Sequence, residues 1–175
     1  MGELDHLVNL MATRMPFHRN GRFLNEPFGP GNGLDQRACG VIHALMTQSI
    51  ATAALVVADY DDAITFYCDV VGFDLVADVD MGGGKRWVLV APPGRSGAQL
   101  LLAKADGEAQ RAAMGNQGGG RVMFFLNTTN FQKDHAAMMA RGVKFLEAPR
   151  HEPYGSVAVF EDLYGNKWDL IEPKN

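Results

Sequence analysis

Cysteine is scarce in this chain, and long apolar runs, basic tracts and histidines at metal-ligand spacing are missing. Two thiols among 175 residues, Cys39 and Cys68, make no disulfide framework, so a reducing cytoplasm is the expected compartment. The longest weakly apolar stretch, residues 41–58, is interrupted by His43, Gln48 and several hydroxyls. It reads as neither a membrane span nor a signal peptide, so no membrane partner is expected. Net charge is −4 with both signs spread along the chain. Without a cationic tract interleaved with aromatics, nucleic acid is excluded as a partner. His6, His18, His43 and His135 have no ligand spacing, and only His151 falls near a candidate site residue, Tyr154. A composition of 47% apolar and 21% charged residues suits one soluble domain with a proper core.

What the chain does have is a module written twice. Gly72 to Val76 and Gly142 to Leu146 each close an amphipathic stretch, at an offset of 142 − 72 = 70. The same offset carries Trp87 to Val90 onto Val157 to Phe160, and Gln99 to Leu101 onto Asp169 to Ile171. In the first copy, Ser49 to Ala58 reads as a strand, and Asp59 caps a helix whose face is Ala63, Phe66, Tyr67 and Val70, with Gly72 ending it. Strands follow over residues 73–79, 85–91 and 99–104. In the second copy, Val122 to Asn127 is a strand. Thr129 and Gln132 match a capping box, and Phe131, Met138 and Met139 supply the helix's apolar face. Strands at 143–148, 156–161 and 167–172 complete it, with Tyr164-Gly165-Asn166 as a hairpin. The expected fold is α+β: two tandem βαβββ modules, 47–105 and 121–175, joined by linker 106–120, whose mixed sheets cup a cavity. Residues 1–46 are a separate extension, a short helix over 3–14 and then a Gly/Pro-rich loop. This extension either packs on the domain or a partner subunit, or is not needed by the fold.

Three segments then carry a resemblance: Asp59 to Tyr67, Val71-Gly72-Phe73, and Phe160 to Leu170. Together with the repeat, they resemble the glyoxalase / bleomycin-resistance / extradiol-dioxygenase (vicinal oxygen chelate) superfamily over about residues 47–175. The resemblance implies a small-molecule cup, usually in a homodimer, and does not imply one reaction. Metal-dependent members line the cup with a His on the first strand and a carboxylate on the last strand of each module. The aligned positions here are Thr52, Gln99, Val122 and Asp169, so no metal and no cofactor is expected.

The expected function is binding of a small organic molecule, with metal-independent lyase or isomerase chemistry. Asp169 is the candidate general base, and Thr52 and Gln99 the groups that position the substrate. A sequestering protein of the bleomycin-resistance type is the alternative, and a metal-dependent glyoxalase or dioxygenase with rearranged ligands a third reading. Trp87 and Phe124 are strand aromatics that line either the cup or the sheet–helix core. Arg121, and with it Arg86, offers a guanidinium to a ligand carboxylate or phosphate, and Tyr154 stands in a loop able to cap a pocket.

Overall fold

The computed structural model describes residues 49–94 and 97–174. The expected N-terminal helix and loop lie outside the described residues. Strand β1 (Thr52–Val57) leads into helix α1 (Tyr60–Thr65), whose Asp59 cap accepts a hydrogen bond from the Asp61 N–H. The helix then widens into π-helical turns over Phe66–Val71 and stops at Gly72, whose φ of 99° suits a residue without a Cβ. Strands β2 (Asp74–Gly82), β3 (Lys85–Ala91) and β4 (Gln99–Lys104) complete a four-stranded sheet of order β1-β4-β3-β2. The linker carries α2 (Glu108–Ala113). The second copy runs β5 (Val122–Asn127), α3 (Phe131–Ala140), β6 (Lys144–Phe145), β7 (Arg150–Glu152), β8 (Gly155–Glu161) and β9 (Lys167–Pro173). Its sheet has the order β5-β9-β8-β6, with β7 also on β8. In both sheets the first and last strands are parallel, β1 to β4 and β5 to β9, and the fold is the expected α+β pair of mixed sheets.

The helix-facing sides of both sheets feed one core. Leu55, Val57, Val88, Val90 and Leu102 of the first sheet, and Ala158, Phe160, Trp168 and Leu170 of the second, are buried with Tyr67, Phe131 and Met138. Polar bonds tie the copies together. Tyr67 donates to Asp162 at 2.8 Å, and the Tyr164 hydroxyl donates to the Asp59 carbonyl at 3.4 Å. Arg141, which caps α3, donates to the carbonyls of Val70 and Val71 and so caps the end of the first helix too. Gln117 links linker to strand edge: its N–H donates to Asn166 Oδ1, and its Oε1 accepts from the Val56 N–H.

Four local expectations are corrected. The cap of α3 is Asn130, which accepts from the Lys133 N–H, not Thr129; Thr128 Oγ1 accepts from the Asn130 N–H and so moves the start one residue on. With that phase the inward face is Phe131, His135 and Met138, while Met139 is 55% exposed. His135 lies between the Phe131 and Phe145 rings with Nε2 buried and unpartnered, and burial pushes its pKa down. The strand expected over 143–148 ends at Phe145, although the Leu146 N–H still donates to the Val159 carbonyl at 2.8 Å, and pairing with β8 resumes at Arg150 after a register shift across the segment that holds Pro149. Finally, a bulge in β5 between Val122 and Phe124 sets Val122 opposite Lys167 and Phe125 opposite Asp169.

Candidate functional site

That bulge decides which side chains share the face of the second sheet turned away from the helices. Strand alternation puts Trp168 and Leu170 into the core and Asp169 on the other side. Phe125 lies beside Asp169 on β5 and is 65% exposed, and Val159 lies beside it on β8. Phe124, expected in either the cup or the sheet–helix core, turns to the core, its ring centroid 4.5 Å from that of Trp168. One residue of extra chain exchanges the roles of two neighbouring phenylalanines.

Asp169 itself is half-buried, with Oδ1 covered and without a hydrogen-bond partner. Burial pushes its carboxyl above the ordinary 3.8, Arg150 pulls against that, and Glu147 adds to it. Glu147 accepts from the Arg150 Nε at 2.9 Å and from the Val159 N–H at 3.3 Å, which fixes it over β8. Arg150 is held by Glu152 as well, at 3.0 Å. The surroundings are therefore one paired Glu–Arg–Glu group and one carboxylate oxygen with nothing to accept from. A polar atom in that state can accept from an ordered water or from a ligand donor. Glu147 and Arg150 escape sequence reasoning because Pro149 hides β7; the alternation Arg150-His151-Glu152 was the available signal.

The other candidates fall elsewhere. Thr52 and Gln99 are direct neighbours in the β1–β4 register, on the first sheet. Trp87 shares their side, since Val88 and Val90 point into the core. Neither Thr52 nor Arg121 bonds Asp169. Arg86 is engaged by Asp61 and Asp78 and stacks near Tyr60, so it is not a free anchor. Tyr154, in the β7–β8 turn, is 55% exposed. His151 Nδ1 lies 3.0 Å from Ser156 Oγ. The four register positions are thus Thr52, Gln99, Phe125 and Asp169, a set with a single strong donor. Among the described residues no three His, Cys, Asp or Glu side chains stand together as metal ligands. This donor set does not fit a divalent ion.

Among the described residues no helix is long and apolar enough to cross a membrane. The sequence model of the Glyoxalase/Bleomycin resistance protein/Dioxygenase superfamily matches residues 49–170. A protein of Shewanella frigidimarina is 52% identical over 128 residues, 73% of this chain and 95% of its own. The crystal structure of TnmS3, an antibiotic binding protein from Streptomyces sp. CB03234, has a TM-score of 0.58 at 29% identity, covering 75% of this chain and all of its own. A glyoxalase/bleomycin resistance protein from the same organism has a TM-score of 0.55 at 32% identity, covering 70% and 99%.

Proposed function

The chain belongs to the Glyoxalase/Bleomycin resistance protein/Dioxygenase superfamily, and on that premise we propose that it binds a small organic molecule against the Asp169 face of its second sheet. One observation carries this reading: a covered carboxylate oxygen without a donor, beside a solvent-exposed phenylalanine ring. A molecule with an apolar or aromatic body and a cationic or N–H group satisfies both at once. The net charge of −4 favours a cation, and the antibiotic-binding TnmS3 lends support from a protein of similar sequence and fold. Rhodamine 6G, an aromatic cation, tests it by fluorescence anisotropy. Saturable binding, weakened about tenfold in Asp169→Asn, is the expected result, because a charge-assisted bond is lost. Equal affinity in the variant would sink the proposal.

A second reading makes Asp169 a general base, and its raised pKa favours it, since a base poised closer to neutral pH accepts a proton from a substrate more readily. Both readings take a second copy of the chain as the wall that closes the face. Phe125 remains 65% exposed beside Asp169, and an exposed aromatic ring of this kind is what a subunit contact buries. Sedimentation equilibrium is expected to give a homodimer, and Phe125→Glu to raise its dissociation constant at least about tenfold. A monomer at all concentrations would remove the second copy from the site.

A further inference from the structure

Away from the Asp169 face, a cavity of about 190 Å³ opens where the glycine-rich linker meets the second hairpin, and it is lined by Gly115, Asn116, Arg121, Asn166 and Lys167 among others. Its lining contains two cations and no carboxylate, in a chain whose acids outnumber its Lys and Arg. Lys167 donates to the Gly120 carbonyl at 3.2 Å, which uses one of its three N–H groups. Among the described residues the Arg121 guanidinium has neither a hydrogen bond nor an ion pair, although most guanidinium groups on this surface are paired. Arg121 directly precedes Val122, the strand partner of Lys167, so the backbone itself brings the two cations to one end of the β5–β9 pair.

The walls are rigid. Gly115, at φ 72°, lies so close to the hairpin that a Cβ would stand 1.9 Å from the Tyr164 carbonyl oxygen. Gln117 is bonded to both Asn166 and Val56, on either side of the loop. Two like charges held over a fixed, carboxylate-free hollow repel each other until an anion enters, and little ordering is then left to be done. We propose that this cavity binds a small oxyanion, a phosphate or carboxylate group, at a site separate from the Asp169 face. A guanidinium offers such a group two parallel N–H bonds, and Lys167 and the Asn116 amide add single donors.

The test is equilibrium dialysis of radiolabelled inorganic phosphate against the full chain, with acetate and chloride as competitors at matched ionic strength. Saturable binding of one phosphate per chain, resistant to chloride, is the expected result, and displacement by acetate distinguishes a carboxylate site from one selective for phosphate. Arg121→Gln should weaken it about tenfold or more, the loss of a charge-assisted pair. Lys167→Met should weaken it as well, and Asp169→Asn should leave it unchanged. Arg121 is exposed and unpartnered, so its replacement does not disturb folding. Phosphate displaced by chloride as readily as by acetate, or retained by Arg121→Gln, overturns the proposal. The Asp169 reading stands or falls independently, on the rhodamine titration.

Discussion

Replacing Asp162 with alanine is expected to destabilise the fold by about 4 kcal/mol, the range seen when one partner of a buried charged network is removed. Asp162 is only 6% exposed and accepts from six donors. Its Oδ1 takes the N–H groups of Tyr164, Gly165 and Asn166, each at 2.9 Å, and so knots the β8–β9 hairpin. Its Oδ2 takes the Asn166 amide at 2.9 Å, the Trp168 indole at 3.5 Å and the Tyr67 hydroxyl at 2.8 Å. Tyr67 lies 95 residues away on the first helix, so this one carboxylate holds a turn and a seam between modules. Burial and the neighbouring Asp162 charge raise the Tyr67 pKa well above 10, so the phenol keeps its proton and always donates. Alanine leaves five of the six donors without an acceptor, since only the Gly165 N–H keeps a second one, the Asp162 carbonyl at 3.1 Å. Asparagine restores one oxygen but turns an NH₂ toward other donors, so most of the loss remains. Tyr67→Phe removes a single bond and should cost about 1–2 kcal/mol. Urea unfolding measures all three, and a loss below about 1 kcal/mol for Asp162→Ala would refute the account.

The same residue shows what was legible in the sequence. The hairpin Tyr164-Gly165-Asn166 and the repeat could be read, because turn residues and hydrophobic period are local signals. That Asp162 binds them to Tyr67 could not be read, since nothing near either residue marks the other. The constant offset of 70 fails where the chain gains or loses single residues. The caps Asp59 and Asn130 stand 71 apart, and the strand partners of Gln99 and Asp169, Thr52 and Phe125, stand 73 apart. In a helix such a slip rotates a face by part of a turn, but in a strand it reverses the side. Hence Asp169 lies opposite its neighbours Trp168 and Leu170 as expected, whereas the bulge puts Phe125 rather than Val122 beside Asp169 and leaves Phe124 in the core, one of its two expected places. Glu147 lies in the segment before Pro149 and Arg150 on the three-residue strand after it, where the short alternation Arg150-His151-Glu152 is the one local mark of a strand.

Asp169→Leu is expected to raise stability while abolishing the proposed ligand binding. A half-buried carboxylate oxygen without a donor is a cost to folding, about 1 kcal/mol at neutral pH for a group still partly screened by solvent. Leucine is larger, but the face is open, since Phe125 beside it is 65% exposed, and its apolar side chain comes to lie next to Phe125 and Val159. The sign of the pH dependence follows from linkage. The folded pKa of Asp169 lies above 3.8, so the folded state holds the proton more tightly than the unfolded chain does. Asp169 therefore burdens the fold least below pH 3.8, and its cost grows as the pH rises through the folded value. The stability gained by Asp169→Leu should be full at pH 7 and shrink toward about pH 4, a difference between two proteins in which the titration of all other groups largely cancels. Paired urea titrations at the two pH values measure it. A variant less stable than the parent at pH 7 would mean that the carboxylate already has a partner, and the argument for a ligand there would go with it. A more stable variant that no longer binds rhodamine 6G would place Asp169 among residues kept for function against stability, a sacrifice that sites built to meet an outside donor commonly require.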